Sequence, residues 1–465
     1  MPQPTTDPQS GLVKGLSLLD GTTLVMGSMI GSGVFIVAAD IARQVQSPAL
    51  LMVTWAVTAL LTIIAALSYG ELSAAMPRAG GQYIYLREAF GPLFGFLYGW
   101  TFFTVIQTGT IAAVAVAFSK FLGYFLPAVS TQVYLLRLGP ISLTTQMAVS
   151  IAVIILLTWV NTRGLRTGAI VQNVFTIAKV GSLLGLIAFG VLLGRRPEAI
   201  SANFTNFWSA PGNWWDIVRL TGVAMVGALF SSDAWHSVTL AAGEMKNPKR
   251  NLPLSLAIGV GVVSILYIGC NLVYLMALPL ASIMSAPEDR VATAVIAQIM
   301  GPAATGLMAA AVMVSTFGCI NGLVLSGARV YYAMAHDGLF FKAVKRIHPT
   351  RHTPNVSLWV QCLWASLLTL TGRYNDLLDY VIFAVLLFYI LTIAGLFVLR
   401  RTRPEMERPY RAFGYPLLPA FYIAAAGLIE ALLLVYKPNY TWPGLILVLL
   451  GIPVYMLWRT KRIEA

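Results

Sequence analysis

Residues 27–35 read Gly-Ser-Met-Ile-Gly-Ser-Gly-Val-Phe, and they interrupt an apolar stretch that is long enough to cross a membrane. Residues 227–236 read Gly-Ala-Leu-Phe-Ser-Ser-Asp-Ala-Trp-His, and they interrupt a second apolar stretch in the same way. Hydrocarbon offers no water to an unpaired backbone N–H or C=O, so an irregular segment at that depth lines a polar cavity or holds a ligand. Two such interruptions, opening two halves of similar length, are typical of transporters with a substrate site near the bilayer midplane.

The composition independently predicts an integral membrane protein. The chain has 465 residues, of which 58% are hydrophobic and 11% are charged, whereas about a quarter of the residues in soluble domains are charged. The net charge of +13 is better explained by basic cytoplasmic loops than by nucleic-acid binding. Cys270, Cys319 and Cys362 lie inside apolar segments without metal-ligand spacing, so we expect no bound metal, no disulfide and no cofactor.

Apolar windows of the length that crosses the hydrocarbon core recur along the whole chain. They cover residues 16–41, 49–76, 92–124, 142–161, 169–193, 218–243, 253–278, 292–334, 356–373, 376–399, 415–436 and 441–459. We therefore expect an all-α protein of about twelve transmembrane helices, in which the first and sixth helices are broken.

Loop charge predicts the orientation of these helices. Lysine and arginine concentrate in the loops that follow even-numbered windows, and such residues favour the cytoplasmic side, so both termini should be cytoplasmic. Five helices per half is an odd number, which inverts the second half relative to the first. The expected divisions are a cytoplasmic tail at 1–14, a five-helix repeat at 15–193, an extracellular loop at 194–217, an inverted five-helix repeat at 218–401, and helices eleven and twelve with a cytoplasmic tail at 402–465.

The first interruption is suited to binding a carboxylate. Gly31, Ser32 and Gly33 place backbone N–H groups at the start of a half-helix, where the helix dipole favours a negative charge. The alternative is close packing of helices at small residues, which we consider the weaker explanation because the cluster lies at mid-depth.

The second interruption is suited to binding an ammonium group. Carbonyls released around Ser231 and Ser232 can accept hydrogen bonds, and the Phe230 ring can close over a bound side chain. Asp233 has two interpretations that the sequence leaves open: contact with a cationic group or a proton-linked role, and capping of the second half-helix by a serine and aspartate pair. His236 adds a titratable neighbour, although a lone histidine on a helix is more often just hydrogen-bonded.

Lys179 lies near the middle of the fifth window, about 15 Å from either end at the rise of an α-helix. Its side chain is too short to reach the interface, so it must meet a carbonyl, a carboxylate or water inside the bundle. It either occupies the place that Na⁺ takes in ion-coupled carriers or makes a structural hydrogen bond beside the first interruption. Ser315 and Thr316 interrupt the eighth window and either line the cavity or bond back to helical carbonyls.

Two further charged residues lie near the ends of their helices. Glu71 is close to the cytoplasmic end of the second helix, where it can pair with loop arginines. Lys120 is close to the outer end of the third helix, where we expect its side chain to extend toward water.

Four motifs resemble the amino acid–polyamine–organocation superfamily, and within it the L-amino acid transporter family. Besides residues 27–35 they are Pro-Arg-Ala-Gly-Gly-Gln-Tyr-Ile-Tyr-Leu at 77–86 with Ala89-Phe90-Gly91, Glu-Met-Lys-Asn-Pro-Lys-Arg-Asn-Leu-Pro at 244–253, and Ser-Thr-Phe-Gly-Cys-Ile-Asn-Gly at 315–322. The resemblance extends over most of the chain, to about residue 415.

The resemblance implies a LeuT-type fold and sodium-independent exchange of amino acids. It implies that Ser32 and Gly33 meet the substrate carboxylate, and that the Met29 and Phe230 carbonyls meet its α-amino group. It also implies that Phe230 is a gating aromatic residue and that Lys179 stands in for a sodium site. Together with the residue-based reasoning, this gives substrate-binding candidates and coupling candidates. The former are Met29, Ile30, Gly31, Ser32, Gly33, Phe230, Ser231, Ser232, Asp233 and Trp235, and the latter are Lys179, Ser315 and Thr316.

Three departures from the family pattern bear on function. Animal members join a glycoprotein subunit through a cysteine between helices three and four, and residues 127–143 contain none, which favours a bacterial-type single-chain carrier of the inner membrane without a disulfide-linked partner. Asp233 replaces the small residue of many neutral-substrate members, and His236-Ser237 also differs. We expect a plasma-membrane carrier of small or medium neutral L-amino acids rather than an enzyme. A proton-coupled carrier of cationic amino acids or polyamines is the alternative, and a non-transporting amino acid sensor is a third possibility.

Overall fold

A computed structural model describes residues 13–138, 141–210, 212–370 and 374–463 of the chain. Most of the predicted tail at 1–14, the end of the ninth predicted window at 371–373, and residues 464–465 lie outside these ranges. The described residues form twenty α-helices and one two-stranded hairpin, as expected for an all-α membrane protein.

The helices of the first half begin at Leu18 and end at Phe204. Their bounds are α1 Leu18–Met29, α2 Gly33–Ile36, α3 Ala38–Val45, α4 Pro48–Ala75, α5 Gln82–Phe90, α6 Pro92–Thr101, α7 Gln107–Phe125, α8 Thr145–Thr162, α9 Leu165–Leu193 and α10 Pro197–Phe204. A π-helical turn at Phe102–Ile106 joins α6 to α7 without a break in the helix axis.

The helices of the second half begin at Trp214. Their bounds are α11 Trp214–Ser231, α12 Ser237–Leu240, α13 Pro248–Ala277, α14 Leu280–Met284, α15 Val291–Met300, α16 Thr305–His336, α17 Asn355–Thr369, α18 Tyr374–Thr402, α19 Leu417–Tyr436 and α20 Pro438–Ile463. Four short 3₁₀ turns lie at Ala242–Glu244, Pro287–Asp289, Pro302–Ala304 and Lys342–Lys345.

Ten helical segments among the described residues are long and apolar enough to cross a membrane. The two remaining predicted windows contain helices that do not meet that description: the first turns of α11 carry the charged residues Asp216 and Arg219, and α17 has 15 residues. The spans are Leu18–Ile36, Pro48–Ala75, Pro92–Phe125, Thr145–Thr162, Leu165–Leu193, Pro248–Ala277, Pro302–His336, Val381–Thr402, Leu417–Tyr436 and Thr441–Trp458.

The first predicted interruption is present between α1 and α2. Ser17 and Asp20 form a capping box that starts α1, and the helix ends at Met29 as the chain leaves helical geometry at Ile30. Glycine is required here by close approach: a Cβ at Gly33 would lie 2.1 Å from Ser231 Oγ, and one at Gly31 would lie 3.3 Å from Cys319 Sγ. The two interruptions therefore touch.

The second predicted interruption is present between α11 and α12. Asn213 and Asp216 form a capping box at the start of α11, which ends at Ser231. The chain then passes through Ala234, whose φ of 64° is left-handed, before α12 begins at Ser237. The positive φ at a non-glycine residue is a strained conformation of the kind that concentrates at functional sites.

The prediction of one long helix over 292–334 was wrong. The segment divides into α15 and α16 at Gly301, whose φ of 85° is followed by Pro302. The same Gly-Pro step, with a φ of 95° at Gly91, separates α5 from α6 in the first half. Each half thus has a short helix, a glycine with positive φ and a proline before its long third span. This Gly-Pro pair is visible in the sequence of both halves.

The loop after α7 forms a hairpin that the sequence analysis did not predict. Strands β1 Tyr134–Leu138 and β2 Ile141–Thr144 pair antiparallel with Leu136 opposite Leu143. Thr144 then caps α8 by accepting a hydrogen bond from the Met147 N–H.

Ion pairs join the ends of the helices. The buried Glu71 carboxylate accepts hydrogen bonds from Arg400 at 2.9 and 2.5 Å and lies 3.3 Å from Arg408, which confirms the predicted pairing with arginines. Arg329 and Glu244 form a second buried pair, with an Nε–Oε2 distance of 2.8 Å. Lys120 reaches the Glu288 carbonyl at 2.8 Å at the opposite end of the bundle.

Candidate functional site

The two interrupted helices face each other across a small cavity. Its volume is about 10 Å³, roughly the space of one water molecule, so an amino acid can enter only if the helices move apart. Seven of the ten predicted substrate-binding residues line it. The lining comprises Ser28, Met29, Gly31, Ser32 and Gly33 from the first interruption, Phe230, Ser231, Asp233 and Ala234 from the second, Thr110 and Val114 from α7, and Cys319 from α16.

Three predicted residues lie beside this cavity rather than in its lining. Ser232 and Trp235 line a neighbouring space of about 20 Å³ behind Asp233, and the Trp235 ring packs edge-on against Tyr69 at 4.7 Å. Ile30 contributes its carbonyl oxygen, which accepts hydrogen bonds from Lys179 and Ser315. Asp233 is therefore the residue that separates the two spaces.

Lys179 holds the first interruption to α16. Its Nζ donates to the Gly27 and Ile30 carbonyls, each at 2.7 Å, and to the Ser315 carbonyl at 3.0 Å. The side chain is fully buried, and three carbonyl acceptors match the three N–H bonds of an ammonium group. Of the three partners expected for this cation, a carbonyl, a carboxylate or water, the structure shows backbone carbonyls beside the first interruption. Its role in transport stays a prediction.

The polar residues of α16 divide into two groups. Ser315 Oγ lies 2.9 Å from the Gly31 carbonyl, and Cys319 Sγ lies 3.0 Å from the Ser28 carbonyl, so both contact the first interruption. Thr316 instead bonds back to the Val312 carbonyl of its own helix at 2.9 Å. For Thr316 the structure shows the alternative of back-bonding within the helix, and the residue does not line the cavity.

Tyr267 of α13 bonds to both interruptions at once, and the sequence analysis missed it. Its hydroxyl lies 3.1 Å from the Met29 carbonyl and 3.0 Å from the Ser231 carbonyl. The side chain is buried, and its ring packs against Trp55 with centroids 5.5 Å apart. The sequence feature that could have identified Tyr267 is a tyrosine inside an apolar window, because a buried Tyr O–H normally finds a hydrogen-bond partner.

Asp233 bonds to a distant helix and does not cap α12. Tyr389 of α18 donates to Asp233 Oδ1 at 2.5 Å and lies 2.7 Å from His236 Nδ1. The residue at the N-cap of α12 is His236, and no side chain caps that helix start. The capping alternative is therefore wrong: the carboxylate accepts a hydrogen bond from the Tyr389 hydroxyl, and Asp233 lines both the cavity and the neighbouring space. Tyr389 was a second residue that the sequence analysis missed.

No metal site competes with this interpretation among the residues that the structure describes. No group of three or more His, Cys, Asp or Glu side chains there could hold a metal ion. The arrangement consists instead of backbone ends, hydroxyls, one carboxylate and one ammonium enclosed in a bundle of membrane helices. These features define a membrane carrier with a small cavity between two broken helices.

The chain belongs to the amino acid permease family, whose profile matches residues 16–457. It is 31% identical to the large neutral amino acids transporter small subunit 2 of Oryctolagus cuniculus, over 97% of this chain and 82% of that protein. It is 29% identical to the Asc-type amino acid transporter 1 of Mus musculus, again over 97% and 82%. The b(0,+)-type amino acid transporter 1 of Mus musculus is 28% identical over 97% of this chain and 88% of its own length.

These relatives are members of the L-amino acid transporter family, so the resemblance drawn from the four motifs is confirmed. The protein is an amino acid transporter of this family and not an enzyme.

Proposed function

We propose that the protein carries small or medium neutral L-amino acids across the plasma membrane by sodium-independent alternating access, exchanging one amino acid for another. The observation that carries this proposal is the cavity between the two interruptions, where a helix start and a helix end meet. The positive end of α2 suits a carboxylate and the carbonyls at the end of α11 suit an ammonium group. This pair of groups is common to all α-amino acids.

The contacts of Lys179 support sodium independence. A sodium ion in a transporter is coordinated by unwound backbone carbonyls, and here the carbonyls of Gly27, Ile30 and Ser315 are occupied by an ammonium group. A fixed positive charge at this place stabilises the first interruption without a transported ion. Ser315 contributes to the same linkage through its hydroxyl.

The repeated order of elements supports a LeuT-type inverted repeat with twelve membrane crossings. Each half begins with an interrupted helix, continues with a long second helix, and reaches its third span through a left-handed glycine and a proline, Gly91-Pro92 and Gly301-Pro302. Basic residues after the even-numbered crossings support cytoplasmic termini. In this arrangement α19 and α20 lie outside the two repeats.

A single-chain carrier without a disulfide-linked subunit is part of the proposal. The hairpin loop between α7 and α8 has no cysteine, and Cys270, Cys319 and Cys362 are all buried as free thiols. None of them is placed to form a disulfide with a partner chain.

Cationic amino acids are the second candidate substrates because of one observation. Asp233 is a buried carboxylate in the cavity lining, and it forms no ion pair with any lysine or arginine among the residues that the structure describes. A carboxylate at this depth favours a positively charged partner. The side chain of a cationic substrate, or a proton, would supply that charge.

Reconstituted vesicles test the proposal. We expect purified protein in liposomes to accumulate radiolabelled neutral L-amino acids without sodium, and faster when unlabelled amino acid is inside. A competition panel of neutral, cationic and acidic amino acids and polyamines then ranks the substrates. A sensor that binds amino acids without transport would be indicated by a different result. In that case the protein would bind amino acids measurably, but uptake would be no faster than in protein-free liposomes.

A further inference from the structure

A chain of short contacts joins α18 to the second interruption through three side chains, Asp233, Tyr389 and His236, which we call the Asp233 triad. Tyr389 Oη lies 2.5 Å from Asp233 Oδ1 and 2.7 Å from His236 Nδ1. All three side chains are buried, and His236 Nε2 is buried without a hydrogen-bond partner among the residues that the structure describes.

We infer that the Asp233 triad binds one proton, taken up at His236 Nε2 and held on the Asp233 carboxyl. We further infer that this proton and the cationic side chain of an amino acid occupy the site alternately. The inference rests on the proposed function, because Asp233 lines the proposed substrate cavity. It adds to that function a coupling ion and the residues that would carry it.

The geometry of the triad accommodates two hydrogen arrangements with the same heavy-atom positions. A tyrosine hydroxyl has one proton to donate, and a neutral imidazole has one N–H and one bare nitrogen. Without the extra proton, Tyr389 donates to the Asp233 carboxylate, His236 donates its Nδ1–H to Tyr389, and Nε2 is a bare acceptor. With the extra proton, Asp233 donates to Tyr389, Tyr389 donates to Nδ1, and Nε2 carries a hydrogen.

The two arrangements interconvert by a balanced relay. An N–H bond forms at His236 Nε2 when the proton arrives, and the Nδ1–H bond breaks as that proton passes to Tyr389 Oη. The hydroxyl proton of Tyr389 passes at the same time to Asp233 Oδ1, where a new O–H bond forms. One proton has entered and the charge of the triad has changed from −1 to zero. This role explains why a buried imidazole nitrogen lacks a partner.

The surroundings of the triad supply hydroxyls and a thiol but no cation that bonds to it. The ammonium of Lys179 is already bound by three carbonyls, and Glu430 lies farther along α19. The titratable groups that face the triad from neighbouring helices are Tyr69 of α4, Tyr98 of α6, Cys319 of α16 and Tyr422 of α19. An uncompensated negative charge is costly at this depth, so a proton or an ammonium group must balance Asp233.

Competition for Asp233 has a direct consequence for transport. A neutral amino acid binds while the proton stays on the triad, and a cationic amino acid binds as the proton leaves. The loaded cavity then has the same net charge in both cases. When a neutral amino acid enters and a cationic amino acid leaves, one proton would therefore cross the membrane together with the neutral amino acid.

L-lysine and L-norleucine are the matched probes, since they differ by a terminal ammonium group. We would titrate each into the purified full-length protein by calorimetry at about pH 6, in two buffers of different ionisation enthalpy, to count the protons exchanged on binding. We expect lysine to release about one proton more than norleucine. Equal proton counts for the two ligands would overturn the inference and leave the proposed function intact, and no binding of either would overturn the proposed function itself.

Two variants assign the released proton to the triad. Asp233→Asn removes the carboxyl, so the difference in released protons between lysine and norleucine should fall to zero. Tyr331→Phe is the control and should leave the difference unchanged. Within the described part of the chain, that hydroxyl is also buried without a hydrogen-bond partner, but it lies outside the triad. An unchanged difference in Asp233→Asn would place the proton elsewhere.

The relay itself is tested in vesicles that contain lysine and a pH-sensitive dye. External norleucine should acidify the interior of these lysine-loaded vesicles when they carry the wild-type protein. Vesicles loaded with norleucine in place of lysine should show no pH change when external norleucine is added. His236→Gln leaves an amide near Tyr389 but has no nitrogen that accepts a proton. We expect it to slow the acidification at least about tenfold while lysine–lysine exchange slows less. Equal loss of both activities would reduce His236 to a structural residue.

Discussion

The residue on which the first interruption most depends is Lys179. Its ammonium makes three hydrogen bonds to carbonyls of α1, Ile30 and α16, and a hydrogen bond to a charged group contributes about 1.5–3 kcal/mol. We expect Lys179→Ala to lower uptake in liposomes at least about tenfold, because the two segments lose their common partner. Lys120→Ala is the control, since among the described residues that ammonium contacts Glu288 alone, in the turn between α14 and α15. Near-normal uptake by Lys179→Ala would contradict a role in transport.

Tyr267 connects the carbonyls on either side of the proposed ammonium site. Removal of its hydroxyl in Tyr267→Phe leaves Met29 and Ser231 without a shared donor. The loss of one hydrogen bond of about 1 kcal/mol should raise KM about fivefold, with a smaller change in expression or thermal stability. Uptake kinetics across a range of substrate concentrations measure this effect. A change in stability with unaltered KM would show that the hydroxyl only holds the helices together.

Residue-level prediction from the sequence worked where physics left a single solution. A lysine at mid-depth must meet an acceptor within the bundle, so the need for buried partners followed from the position of Lys179, whereas their identity as three carbonyls required the structure. Tyr267 and Tyr389 were missed because a tyrosine in an apolar window is compatible with simple packing. The partner of a tyrosine hydroxyl is decided by helices far away in sequence, and one sequence does not contain that information. For Asp233 the two interpretations were separable only once α18 was in place.

At the scale of elements, the contact between α2 and the end of α11 depends on Gly33. A Cβ there would lie 2.1 Å from Ser231 Oγ and 2.9 Å from the Ser231 backbone, so Gly33→Ala must push the two interruptions apart. We expect that variant to lose substrate binding while it still inserts in the membrane. Gly181→Ala is the matched control, because a Cβ at Gly181 meets nothing within 4 Å and an alanine there favours the helix by about 0.5–1 kcal/mol. Unaltered binding by Gly33→Ala would disprove the close contact.

Helix α5 is attached to the ends of α16 and α18 by ion pairs that should respond to pH. Burial by itself raises the pKa of the Glu88 carboxyl, but hydrogen bonds from Arg87 and Arg403 outweigh this and hold that pKa below its ordinary value. A lowered folded-state pKa stabilises the protein above the unfolded value, and the stabilisation is lost as pH falls through the folded value. The relevant window therefore lies below about pH 4.5.

Glu88→Gln tests this attachment. We expect it to lower the free energy of unfolding by about 0.5–1 kcal/mol at neutral pH, a modest value because Arg403 is partly exposed. The difference from wild type should shrink as the pH falls below about 4.5. Thermal unfolding in detergent, followed across pH, measures both effects. Glu407→Gln is the control, because its pair with Lys249 is mostly exposed. A pH-independent difference would show that the carboxylate charge is not responsible.

The elements themselves were predictable to different degrees. Polar and small residues in an apolar stretch identified both broken helices, because irregular backbone at that depth is tolerated only where it lines a cavity or is buried in protein. The division between α15 and α16 was missed although Gly301-Pro302 marks it, since hydropathy averages over a short break. The hairpin after α7 was missed because its four-residue and five-residue strands are short, and tertiary packing decides whether such a loop pairs.

At the scale of the whole molecule, the closed cavity requires that the bundle open before an amino acid can bind. A volume of about 10 Å³ is far below the several hundred Å³ of typical ligand sites. Cys319 reports this opening, because it lines the cavity and is buried. In a Cys270→Ala, Cys362→Ala background, we expect a maleimide to label Cys319 slowly, at a rate set by opening. A bound amino acid should slow labelling further, about threefold or more at saturating concentration.

The same measurement separates opening of the cavity from general loosening of the bundle. A variant that retains only Cys362, which lies on α17 and is not part of the cavity lining, should show no effect of amino acids on its labelling. If both thiols respond alike, the protein loosens as a whole and the two interruptions do not form the moving site. If only Cys319 is protected, the substrate occupies the space between them. Protection by norleucine but not by lysine would then exclude lysine as a substrate, and protection by both would show that the cavity that Asp233 lines admits neutral and cationic amino acids.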